Sequence, residues 1–95
     1  MVALYDQLLT VAPTPVVALN RAVAVAELDG PDVGLALVDD VALTGYHAWH
    51  AARADLLRRL GRGADARSEY DAAIDATENS AERAYLTRRR DQIAE

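Results

Sequence analysis

The stretch 54-ADLLRRLGRGADARSEYDAAIDATEN-79 decides the fold. Leu56, Leu57 and Leu60 continue a stripe begun by Trp49, at the spacing of an α-helix that buries one face. Gly61-Arg62-Gly63 stops that helix, because glycine readily takes the left-handed conformation that ends one. Beyond it, Ala66, Tyr70, Ala73, Ile74 and Thr77 repeat at helical period, and Asn79-Ser80 is a start signal for another helix. The stretch is therefore a helix, a glycine turn and a second helix that folds back on the first. The large ring of Tyr70 stands between two alanines small enough to let backbones approach.

Outward from there the same punctuation recurs. A helix is expected from about Val2 to Val11, with Leu4, Leu8 and Val11 on one face, ended by Ala12-Pro13-Thr14-Pro15. The next starts at Pro15, with Thr14 as its N-cap, and runs to about Leu28. It is apolar nearly all round apart from Asn20, Arg21 and Glu27, which predicts burial on several sides and a central position. Asp29-Gly30-Pro31 leads into a third helix over 31–41, and a fourth is expected over 46–60. The fifth covers 64–76 and the sixth runs from Ala81 to near the end. No segment alternates as a strand does, so the expected fold class is all-α.

Composition agrees with closely packed helices. Among the 95 residues are 20 alanines and no Phe, and 52% are hydrophobic, and alanine combines high helix propensity with minimal bulk. The absence of Cys excludes disulfides and thiolate metal sites. All ten basic residues are Arg, which with the alanine content reads as GC-rich, actinobacterial codon usage. A net charge of −5 argues against non-specific binding to nucleic acid. The most apolar stretch, 15–26, is too short for a membrane span and is broken by Asn20 and Arg21. A cytoplasmic protein is expected.

The segment 54–79 resembles a tetratricopeptide repeat (TPR). Gly61 falls at the turn, Ala66 and Ala73 at the helix crossings, Tyr70 between them, and Asn79 at the start of the next unit. The first helix, 4-LYDQLLTVAPT-14, looks like the second half of such a unit, with Tyr5 in the place of Tyr70. Around Gly30 the register is ambiguous by one residue, so either Gly34 or Leu35 occupies the close crossing. The resulting organisation is one TPR-like helical domain over 1–95: half repeat 1–13, repeats 14–45 and 46–79, and a capping helix 80–95. The expected architecture is antiparallel helix pairs stacked as a short right-handed superhelix. A half-unit start suggests an excised fragment whose first helix is exposed, with a homodimer as one way to cover it.

The runs 3-ALYDQLLTVAPTPVVALNRAVAVAELDGP-31, 45-GYHAWHAARADLLRRLGR-62 and 82-ERAYLTRR-89 look like the C-terminal extension of one group of extracytoplasmic-function (ECF) sigma factors. The run from Pro15 to Pro31 is the specific part. That resemblance implies a regulatory, protein-binding role beside promoter- and polymerase-binding domains that this chain does not contain. The implied partners are the sigma factor's own N-terminal domains, RNA polymerase or another regulatory protein.

Polar residues that interrupt the pattern are the site candidates. In TPR arrays the first helix of each pair lines a concave groove for peptides. By repeat position, Asn20, Arg21 and Glu27 would face it from one helix, Asp55, Arg58 and Arg59 from the next, and Glu82, Tyr85 and Arg89 from the last. The alternative for Asn20 and Arg21 is that they cap or brace neighbouring helices. Arg53 lies on an apolar stripe and needs a partner from another helix, with Asp39, Asp40 or Glu27 as candidates, in a structural ion pair. His47 and His50 are three apart, a spacing compatible with zinc, but no third ligand is evident; flanking a buried Trp49 is the plainer role. Arg58-Arg59 and Arg88-Arg89-Arg90 sit near helix C-termini, where positive charge complements the macrodipole. No nucleophile–base pair and no phosphate loop is present. The reading is a non-enzymatic module without cofactor or metal, with a free-standing TPR adaptor as the alternative.

Overall fold

The computed structural model describes Val2, residues 15–41, Leu43 and residues 45–93. Every regular element among them is an α-helix: α1 (Pro15–Asp29), α2 (Pro31–Asp39), α3 (His47–Arg59), α4 (Gly63–Ala76) and α5 (Ser80–Asp91). Of the helix expected over residues 2–11 only Val2 is described, and the Thr14 cap and the homodimer contact fall outside the described residues. The chain divides into two compact units, Met1–Leu43 and Thr44–Glu95.

In the first unit α1 packs against α2. A single residue, Gly30, joins them with φ +106°, and Pro31 opens α2 with its fixed helical φ. The interface is Leu19, Ala22, Val25 and Ala26 on α1 against Gly34, Leu35 and Val38 on α2. Gly34 takes the close crossing: a Cβ there would overlap Ala26 Cβ and lie 3.0 Å from Ala26 Cα. This settles the one-residue ambiguity, because only hydrogen fits against that backbone. The expectation for α1 needs correction. It buries one stripe, while Val16, Val23 and Leu28 stay 43%, 39% and 71% exposed.

The second unit packs α3 on α4 and α4 on α5. Its core is Trp49, Ala54, Leu56 and Leu57 from α3, Ala66, Tyr70 and Ala73 from α4, and Leu86 from α5. The alanines at 54, 66 and 73 are wholly buried, which leaves room between the helices for the Tyr70 ring. Burial pushes the Tyr70 phenol up from its ordinary value, and the Arg58 guanidinium beside it pulls the other way.

The turns follow from their residues. At the end of α3, Gly61 adopts φ +77°. Its N–H donates to the Arg58 carbonyl at 3.1 Å, and the Arg62 N–H donates to the Leu57 carbonyl at 2.9 Å. That pair of bonds is a Schellman motif, which supplies partners for carbonyls the helix leaves open. At the start of α5 the Asn79 side chain accepts from the Glu82 N–H at 2.9 Å, an N-cap. Thr77, buried, accepts the Asn79 N–H on its hydroxyl at 3.2 Å and offers its carbonyl to Arg83.

Candidate functional site

Two polar constellations belong to the second unit. The first ties the start of α3 to α4 and α5. His50 Nε2 accepts the Gly45 N–H at 3.0 Å, so its proton sits on Nδ1, which donates to Glu69 Oε2 at 2.7 Å. The other Glu69 oxygen accepts from Arg53 Nη1 at 2.9 Å. Arg53 also lies over the Trp49 ring, 5.9 Å from its centroid, and His50 meets that ring edge-on. His47 Nδ1 donates separately to Glu82 Oε1 at 2.7 Å. Glu69 thus holds two α3 side chains at once, and it was not among the acidic partners considered for Arg53. Both histidines direct Nδ1 at different carboxylates on different helices. Among the described residues no three His, Asp or Glu side chains converge on a metal position.

The second constellation is a pocket of about 350 Å³ lined by Arg58, Gly61, Gly63, Arg89, Gln92 and Ile93. The Schellman turn builds one wall, since Gly61 and Gly63 present no side chain. The end of α3 supplies Arg58 and the last turns of α5 supply Arg89 and Gln92. A smaller depression of about 230 Å³, formed by Tyr85, Arg88, Arg89 and Gln92, continues it along α5. Arg58 Nη2 donates to Asp55 Oδ1 at 2.5 Å, and this carboxylate holds the guanidinium above its ordinary pKa. Arg58 Nε is buried and has no acceptor among the described residues. Arg89 Nε donates to the Tyr85 hydroxyl at 3.2 Å, with the guanidinium 5.7 Å from that ring centre.

Of the groove candidates, Arg58, Tyr85 and Arg89 line these two depressions, and Asp55 reaches them through Arg58. Arg59 turns to the other Asp55 oxygen, at 3.5 Å. Glu82 is engaged with His47. Asn20 and Glu27 are exposed and Arg21 half-buried on α1 of the other unit, whereas the described lining of both depressions comes from the second. Sequence reasoning missed the lining by Gly61, Gly63, Gln92 and Ile93. The Gly-Arg-Gly punctuation could have pointed to the first two, since a turn without side chains leaves space. Nothing in the pattern singles out Gln92 or Ile93. Arg62 and Arg90 do not contribute, because Asp65 and Asp71 hold them at 2.7 Å each.

The chain is 43% identical over 93 residues to an uncharacterized protein of Rhizobium meliloti (strain 1021). The match takes in 96% of this chain and spans only 22% of that relative's length. No family model and no solved structure matches the chain. No helix among the described residues is long and apolar enough to cross a membrane.

Proposed function

We propose that this chain is a regulatory protein-interaction module of the kind appended to ECF sigma factors. It acts in the cytoplasm by contact with the sigma domains, RNA polymerase or another regulatory protein, and neither catalyses a reaction nor touches DNA itself. The observation that carries the reading is the run from Pro15 to Pro31. It resembles the sigma-factor extension and folds as a helix, a one-residue glycine turn and the start of a second helix. A relative that holds a 43% identical stretch within a chain several times longer fits an appended module. In this reading α1–α2 and α3–α4 are tetratricopeptide-like pairs, stacked as a right-handed superhelix and closed by α5. Gly34 and the buried alanines at 54, 66 and 73 support it, since such pairs need small residues where helices cross.

The gene itself provides the test. A reading frame that joins this segment to two sigma domains is expected, and a promoter reporter should respond when the segment is deleted from the intact protein. A frame without those domains would end the proposal. The second reading is a peptide-binding adaptor, which the convergence of Arg58, Tyr85 and Arg89 favours. That version predicts peptide binding by the chain alone.

A further inference from the structure

The lining of the two α5 depressions runs against the charge of the whole chain. Acidic residues outnumber basic ones 15 to 10, yet among the described residues the lining holds Arg58, Arg88 and Arg89 and no carboxylate. Two of these three arginines form no ion pair among the described residues, and the third is paired with Asp55. Arg88 and Arg89 have no acidic partner among the described residues, and Arg58 keeps a buried Nε–H without an acceptor while Asp55 occupies another of its nitrogens. Elsewhere in this unit Arg62 and Arg90 are held by aspartates.

We infer that this double pocket is a docking site for an acidic peptide segment of a partner protein, with one carboxylate seated between Arg58 and Arg89 and a second beside Arg88. The inference rests on the interaction-module reading, though not on the sigma-factor part of it.

Charge and shape select this occupant. Guanidinium groups bind carboxylates through charge-assisted, often paired, hydrogen bonds, which are stronger than neutral ones. The two depressions share Arg89 and Gln92 and so form one elongated surface, suited to an extended chain rather than a compact metabolite. Tyr85, 48% exposed at its rim, offers an aromatic contact of the sort that anchors interfaces.

The test uses the 95-residue chain and fluorescein-labelled ten-residue peptides followed by anisotropy. One peptide is all glutamate, one all glutamine, and one is glutamine with two phosphoserines. The expected result is binding of the glutamate peptide that weakens with salt, with at least about tenfold loss in Arg89→Ala, as for removal of a charge-assisted hydrogen bond. Tyr85→Ala should weaken it and Arg21→Ala should leave it unchanged. Unaltered Trp49 emission shows that each variant is folded, and Arg88→Ala replaces Arg89→Ala should the latter unfold. Equal binding of the glutamine peptide, equal loss in Arg21→Ala, or no binding at all overturns the proposal. A phosphoserine peptide bound more than about tenfold tighter overturns the carboxylate assignment in favour of a phosphorylated partner. Failure in any of these ways leaves the promoter-reporter test intact, so the two readings fail separately.

Discussion

Gly34 shows how a missing side chain sets the distance between two helices. Alanine has the better helix propensity, worth about 0.5–1 kcal/mol in a helix interior. That gain is outweighed here, because the new methyl would meet Ala26 at its Cα and Cβ, in backbone that cannot swing away. Gly34→Ala is therefore expected to destabilise the fold by about 1–3 kcal/mol, the usual cost of overpacking. Urea denaturation reads this directly, and an unchanged midpoint would show that α1 and α2 can separate freely. Tyr70 makes a second prediction at this scale. Its phenol pKa is raised above the ordinary 10.0 in the folded state, so the folded protein holds that proton more tightly than the unfolded chain. The stabilisation is complete below the unfolded value and is lost as pH rises through the folded one. Thermal melts should thus fall in alkaline solution above about pH 10, and Tyr70→Phe should blunt the fall. The period of the pattern around Tyr70 was enough to place it in the core. Its shifted proton affinity was not legible, because that depends on how fully the neighbouring helices bury the ring.

At the scale of the element, α3 and α4 are joined by apolar packing and by Glu69. The carboxylate takes one hydrogen bond from His50 and one from Arg53, and all three side chains are less than a quarter exposed. Glu69→Ala leaves both donors without that acceptor and should cost about 1–3 kcal/mol, the penalty for stranding partly buried polar groups. Glu69→Gln, which keeps one acceptor oxygen, should cost less, and equal losses would argue that the bonds are incidental. The cap of α5 gives a simpler case. Asn79→Ala removes the acceptor for the Glu82 N–H and should lower stability by about 1 kcal/mol. That cap was readable from two adjacent residues, since the bond it makes spans three. Glu69 as the partner of Arg53 was not, since a separation of 16 residues leaves no local trace.

For the whole molecule, the division at Leu43 is the informative feature. Residues 44–95 contain their own core around Tyr70, Leu57 and Leu86 and all the described residues that line the double pocket. That segment, expressed alone, is expected to retain a cooperative helical melt at a lower temperature than the full chain, as its smaller core dictates. A circular dichroism melt without a transition would show instead that α3, α4 and α5 depend on the remainder.

Local chemistry determined a good part of this protein without any tertiary information. Helical class, the turns at Gly30 and Gly61, the cap at Asn79 and the core position of Tyr70 all rest on interactions within a few residues. Such interactions have the same partners in any fold of the chain. Tertiary structure alone decided that Gly34 rather than Leu35 takes the crossing, that Glu69 joins Arg53 to His50, and that Arg58 and Arg89 share a pocket. Those outcomes depend on how far one helix rotates about its axis against another. Periodicity leaves that angle open by a residue, and close packing of whole side chains closes it.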